Sequence, residues 1–337
     1  MWMQIPPQSS EMPSALLSNN GQATSLTMRE PNSHVPHFAT IPNGPISSLT
    51  PYSGLILAIC LVILFGLKII LDHYIFPIIY PCALARMDDE ARRSFVNYHI
   101  AGGVKVVILF IAAKPVVDIV FGQSALSSPM SRLHPKPTMG DILLVLCHLF
   151  SSMYLFELVL RRKPSLITIM HHVGGVMIGQ SAIALSVDYE HQPNATVEFV
   201  MCLVWGFWDV LAEWSTNVAF VLYRIKGDNH QLLARMFATL TVISVLGTIA
   251  ETIMVMVLFG LSWSVWEIQF KVLTPLLHTL FMFSQLQSAR VLFKMFKKEK
   301  QRMHDGDEES IRPAASQTDS EPAIQEKHPV SSSTRVI

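Results

Sequence analysis

Leu55-Ile56-Leu57-Ala58-Ile59-Cys60-Leu61-Val62-Ile63-Leu64-Phe65-Gly66-Leu67 carries no charged side chain, and its apolar character continues to about residue 80. A helix needs ~20 such residues to cross a ~30 Å hydrocarbon layer. Six further apolar stretches follow, at about 100–122, 141–160, 165–186, 197–223, 236–260 and 265–293. None alternates as a membrane β-strand does, so the backbone must satisfy its own hydrogen bonds as helix. The expected fold is all-α: a polytopic membrane helix bundle of about seven transmembrane helices. Gly102-Gly103, Pro115, Gly174-Gly175 and Pro275 lie inside the spans and read as points of close packing or kinking.

Composition agrees. Of 337 residues, 50% are apolar and 15% charged, against about 25% charged in a typical soluble protein, and the mean hydropathy is +0.38. The 50 charges are uneven, with 16 in residues 294–337 and 3 in residues 1–53. This excludes a soluble domain with a mixed charged surface. The 25 basic residues are matched by 25 acidic ones without a basic face, so nucleic acid is not a partner. Cys60, Cys82, Cys147 and Cys202 are scattered, which indicates neither a disulfide framework nor a zinc knuckle. Residues 1–53 are rich in Pro and Ser, with no basic region ahead of an apolar run, so they read as a disordered tail and not as a signal peptide or presequence. Residues 296–337 read as a second disordered tail, entered through the basic cluster Lys294–Arg302, a stop-transfer flank.

Function is to be sought in polar residues inside the spans, because a carboxylate at mid-helix costs ~2.5–3.5 kcal/mol. Trp205, Asp209, Glu213 and Asn217 recur at i, i+4 and form one polar stripe. Counting ~1.5 Å per residue from each span's basic end puts Asn217, His171 and Tyr154 at ~9 Å, Glu213 at ~15 Å and Asp209 at ~21 Å. Gln285 and Gln287 fall with the first group, while His148, Glu251 and His278 join Asp209 in a second layer near the midplane. Two polar layers imply a cavity opening toward the cytosol. Neighbouring residues on a helix point ~100° apart, so only one of His171 and His172 is expected to reach the stripe. His148 and His278 read as core hydrogen-bonders. Lys68/Asp72, Lys114/Asp118 and Glu267/Lys271 read as self-neutralised i, i+4 pairs. With no His-x-x-x-His or Cys-x-x-Cys spacing, no metal is expected, nor any bound cofactor.

Met153-Tyr154-Leu155-Phe156-Glu157-Leu158, then Arg161-Arg162-Lys163, then Ile169-Met170-His171-His172 resemble the TLC-domain family, the membrane fold shared by ceramide synthases and TRAM-type translocon proteins. The resemblance extends through the acidic helix Trp208–Glu213, Asn217 and Tyr223-Arg224, over about residues 90–295. It implies residence in the endoplasmic reticulum and a role in lipid metabolism or homeostasis, with sphingolipid-type acyl transfer as the enzymatic form. Ceramide synthases have a His-Asp pair where this chain has Trp208-Asp209, so the catalytic reading carries only onto His171, His172 and Asp209. The domain reading is a tail at 1–53, a first transmembrane helix and connection at 54–89, a TLC-like domain at 90–295 and a tail at 296–337.

The reaction expected is transfer from acyl-CoA, a co-substrate and not a bound cofactor, to the amine or hydroxyl of a membrane lipid such as a long-chain amine or lysolipid. His171 or His172 would accept the proton, and Asp209 or Glu213 would orient the imidazole. Tyr154, Glu157, Asn217 and Gln285 are expected to bind substrate. The rival readings are a non-catalytic lipid sensor or escort using the same cavity and, third, a seven-helix receptor. The receptor reading lacks an Asp-Arg-Tyr-like triplet after the third span and an extracellular cysteine pair.

Alternate loops hold 14 Lys and Arg on one side and 2 on the other, which places the C-terminus in the cytosol and the N-terminus in the lumen. The Asn194-Ala195-Thr196 sequon falls on the lumenal side. A glycosylation-type reporter fused after Ile337 should therefore report cytosol, and one inserted in the 187–196 loop should report lumen. Both termini on one side would overturn this orientation.

Overall fold

The structure, a computed structural model, describes residues 41, 43–131, 133–162, 164–192, 194–264, 266 and 268–311, with residues 269, 270 and 306–311 described as backbone only. The disorder expected of residues 1–40 and 312–337, the Glu267–Lys271 pair and the loop base Arg132 lie outside the described residues. Helix α1 spans Ser53–Ile70 and continues through a π-helical turn at Leu71–Ile75 into α2 (Phe76–Ile79) and α3 (Pro81–Ala85). Then come α4 (Asp89–Val120), a hairpin of β1 (Pro129–Ser131) and β2 (His134–Thr138), α5 (Met139–Leu160), α6 (Leu166–Val187), α7 (Ala195–Ile225), α8 (His230–Leu261) and α9 (Ile268–Ile311). Apart from that short hairpin in a connection, the fold is the all-α bundle expected.

Helix starts are fixed by side-chain caps. Asp88 accepts from the Ala91 amide at 2.7 Å, Ser165 from Thr168 at 3.1 Å and Asn229 from Leu232 at 3.0 Å. Thr138 and Asp141 form a reciprocal capping box at the start of α5. Each cap satisfies amides that the first helical turn leaves without partners.

Six helical segments are long and apolar enough to cross a membrane, among the described residues: 50–79, α4, α5, α6, α7 and α8. The chain is a multi-pass membrane protein. The seventh expected span, α9, is not among the six. It is amphipathic, turning Thr274, His278 and Gln285 inward while Val272, Leu276 and Phe283 stay exposed, and it packs along most of α8. The helix also runs well past residue 295, where a tail was expected to begin. The buried Glu299 carboxylate accepts from His230 at 2.6 Å, which ties this extension to the start of α8. At the other end of the bundle, residues 43–52 are not a free tail either. The Ser47 hydroxyl donates to Asp141 at 2.6 Å, and Ile46 is buried against α5.

The helices pack as two four-membered rings that share a wall. In one, α4, α5, α6 and α7 each touch the next and α7 returns to α4; in the other, α6 and α7 are joined by α8 and α9. Helix α1 lies outside, against α5 and α4. Burial follows this order: 61% of the apolar core of α5 is enclosed by protein but only 11% of the 50–79 span. Leu55, Ile59, Val62, Ile63 and Ile70 on α1 are exposed and form the lipid-facing side.

The α5–α6 contact depends on Gly175. A methyl group there would come within 2.9 Å of the Tyr154 ring, closer than the ring can accept without moving. Gly175→Val should therefore destabilise the bundle by ~1–3 kcal/mol, the usual range for overpacking, as measured by thermal or denaturant unfolding in detergent micelles. Unchanged stability would mean that Tyr154 is not held where the structure places it.

Candidate functional site

Four helices converge near the end of the bundle where α4 and α6 begin and α5 and α7 end. Arg93, Arg161, Arg162 and Arg224 lie at this end, called here the basic end. From α6 comes His171, whose Nε2 lies 3.4 Å from Asp209 Oδ1 and 3.4 Å from Glu213 Oε1 on α7. The Tyr154 hydroxyl on α5 donates to Asp209 Oδ2 and stands 3.1 Å from the same imidazole nitrogen. His172 turns to a different partner: its Nε2 lies 3.3 Å from Glu157 Oε2 on α5. As the ~100° step between neighbours requires, one histidine of the pair reaches the α7 stripe and the other does not.

The Tyr154 ring stacks on the His172 imidazole, with centroids 4.2 Å apart and planes 6° from parallel. Asp209 thus fixes Tyr154 through its hydroxyl, and Tyr154 fixes His172 through its face. Both imidazoles hold Nε2 against carboxylates, while Nδ1 of each is buried without a hydrogen-bond partner among the described residues.

Sequence reasoning passed over Lys105. This α4 residue is 1% exposed, with Nζ 2.7 Å from Glu213 Oε2 and 3.9 Å from Glu157 Oε1. The signal was present, because a lone lysine inside Ile100–Ala113 is as costly in lipid as the carboxylates of α7. Arg161 completes the network by donating to Glu157 at 2.8 Å. Glu157 therefore has both Arg161 and Lys105, whereas Glu213 pairs with Lys105, and Asp209 and Glu213 both face His171.

His171, Asp209 and Glu213 also present one potential metal-ligand atom each, all within 4.8 Å of one another. They come from two helices, so no local spacing in the sequence could display them as a group. The second oxygen of each carboxylate is already engaged, by Tyr154 on Asp209 and by Lys105 on Glu213.

The depth ruler fails in one respect. It separated His171 at ~9 Å from Asp209 at ~21 Å, yet the two side chains meet. Counting from each helix's own end presumes upright axes and level ends, and neither need hold for a tilted bundle. Gln285 and Glu251, assigned to different layers, are hydrogen-bonded at 2.6 Å. Gln285 thus comes to the site bearing a partner from α8. Asn217 is buried beside Gly102 and its Nδ2 has no partner among the described residues, so it lines the cavity without joining the network. His148 and His278 behave as core hydrogen-bonders, with Gln180 and Thr252 respectively. Lys68–Asp72 and Lys114–Asp118 pair at 3.2 Å and 2.7 Å, and Arg92 also bonds Asp72.

Three adjoining spaces lie at or near the network. A polar cavity of about 240 Å³ opens at the basic end and is bordered by Lys105, His171, His172, Glu213, Asn217 and Gln285. His171 and Gln285 also border a narrow space of about 30 Å³ between α6, α7 and α9. Beyond Trp205 and Cys202, which border both, an apolar chamber of about 290 Å³ is walled by Met177, Leu185, Met201, Trp266 and Leu273.

Comparison with known proteins returns no match to any family model, curated protein or solved structure. The site must therefore be read from its own chemistry.

Removing one partner of a buried charge network leaves the others uncompensated, at a cost of ~3–5 kcal/mol. Lys105→Met should lose about that much stability in denaturant unfolding, and Lys105→Met/Glu213→Gln should lose distinctly less because the stranded carboxylate goes too. Equal losses would show that Lys105 matters for its packing and not for its charge.

Proposed function

We propose that this membrane protein acts on lipids by acyl transfer, moving an acyl group from a thioester such as acyl-CoA to the amine or hydroxyl of a lipid acceptor, in the manner of the TLC-domain family. The observation that carries this reading is His172. One ring nitrogen is bonded to Glu157, the ring is clamped by Tyr154, the other nitrogen has no partner among the described residues, and the side chain borders a cavity large enough for reacting groups.

An imidazole oriented by a carboxylate is suited to general-base work, the carboxylate fixing the tautomer and the ring angle. Glu157 already carries Arg161 and Lys105, so it can hold the His172 N–H without demanding a third cation. Nδ1 then accepts the proton as the acceptor's nitrogen or oxygen attacks the thioester carbon. The new C–N or C–O bond replaces C–S, and the proton passes on to the departing thiolate. His171, facing Asp209 and Glu213, holds Tyr154 and the α7 stripe in register. The apolar chamber beyond Trp205 suits a hydrocarbon chain, while the polar cavity suits the groups that react.

That same chamber supports the second reading, capture of a lipid without chemistry, by an escort or sensor. In both readings the orientation is the one derived from loop charge, with the polar cavity open to the cytosol of an endoplasmic reticulum membrane.

Purified protein offered labelled acyl-CoA with long-chain amines and lysolipids decides between them. His172→Ala should lower product formation ~10²–10⁴-fold, the usual contribution of a general base, with lipid retention unchanged. Equal product from both proteins would end the role assigned to His172. No product from wild type across the panel, with lipid retained, would establish the binding reading instead.

A further inference from the structure

Beside the polar cavity, at the same end of the bundle, lies a separate vestibule of about 290 Å³. Its walls are the first turns of α4, with Arg93, Ser94 and Asn97, and the α5–α6 connection, with Arg161, Arg162 and Ser165. Tyr98, Arg161 and Thr168 border both spaces, so the two adjoin. We propose that this vestibule is a phosphate-binding subsite. It rests on the acyl-transfer reading only for the identity of the phosphate's owner, not for its existence.

Four independent features converge on an anion. Arg93 and Arg162 border the vestibule and form no ion pair among the described residues, although Glu90 also borders it. Planar guanidinium groups match phosphate oxygens with paired hydrogen bonds. Asn97, on the vestibule wall, is only 2% exposed and its Oδ1 has no partner among the described residues. A buried amide left short of partners is costly, and its Nδ2 group carries two N–H donors that a bound anion can accept from. The start of α6 faces the same space, with Ser165 capping Thr168 and leaving other first-turn amides free, and a helix N-terminus favours negative charge. Finally, Arg161 links the vestibule to the centre: it borders the space and donates to Glu157, which holds His172. A phosphate held here would be linked to the proposed general base through Arg161 and Glu157 without competing for it.

Two sources carry this chemistry, the pyrophosphate of coenzyme A and the phosphate of an anionic lipid headgroup at the membrane surface. The test uses the full-length protein in detergent, titrated calorimetrically with coenzyme A, and the same protein in floatation assays with phosphatidylcholine vesicles with and without phosphatidic acid. Arg93→Gln/Arg162→Gln should weaken binding at least ~10-fold, as loss of charge-assisted hydrogen bonds implies, and binding should fall with added salt. Both arginines are near the surface, so the variant should elute and melt like wild type. Asn97→Leu, which removes the buried amide alone, is the second probe should it not.

Binding of coenzyme A that the double variant loses establishes the subsite and assigns it to the thioester donor. Preference for phosphatidic acid that the variant loses, with no coenzyme A binding, establishes the subsite but removes acyl-CoA as the donor. Absence of both in wild type, or binding that the variants leave intact, would overturn the proposal. Acyl-transfer activity is read separately, so the failure of either idea is visible without the other.

Discussion

Lys105 is the residue on which the rest of the centre depends. Its ammonium group sits between Glu213 on α7 and Glu157 on α5, joining three helices by charge in a place where water is scarce. Two carboxylates brought together in a bundle interior repel each other and lose their hydration. A cation between them turns that liability into a cross-link, and Arg161 reinforces it from the basic end. Without Lys105, Glu213 would lose the ammonium that meets its charge, and α4 would lose its tie to the carboxylates of α5 and α7.

The ring arrangement explains why the centre falls where it does. Helices α6 and α7 belong to both rings, so residues on their shared faces touch α4 and α5 on one side and α8 and α9 on the other. His171 uses this position to border both the polar cavity and the narrow space leading past Trp205. Small residues make the approach feasible. Gly175 lets the Tyr154 ring lie against α6, and a Cβ at Gly179 would already stand 3.4 Å from the Cys147 sulfur. Small residues allow the close backbone approach that drives helix association in lipid, where no hydrophobic force separates helix from solvent.

The gradation of the spaces gives the proposed function its physical sense. From the basic end inward, the walls change from arginines and hydroxyls, through paired histidines and carboxylates, to tryptophan, leucine and methionine. A molecule with a charged end, a reactive middle and a long apolar part would match that order. Neither end of such a molecule would have to give up its preferred environment, and the reacting atoms would lie at the level of the stacked Tyr154 and His172.

Much of this was legible in the chain. Apolar runs of transmembrane length set the all-α membrane class, because a backbone in lipid has no other way to satisfy its hydrogen bonds. The i, i+4 stripe on α7 and the adjacent histidines on α6 marked the residues that lipid could not neighbour, and the 100° step between His171 and His172 foretold that they would part company. Other features were not legible. Lys105 carried a signal of its own but no local partner, since its carboxylates lie 52 and 108 residues away along the chain. The depth ruler misplaced Asp209 relative to His171. Helix α9, read as the seventh span, falls outside the six segments apolar enough to cross by composition because it carries the polar residues it turns toward α8. The sequence by itself determined which side chains must avoid lipid, because transfer cost belongs to each residue alone. Only the tertiary structure decided which of them meet, because pairing depends on helix tilt, ring order and glycine-permitted approach, and these arise from packing between segments far apart in the chain.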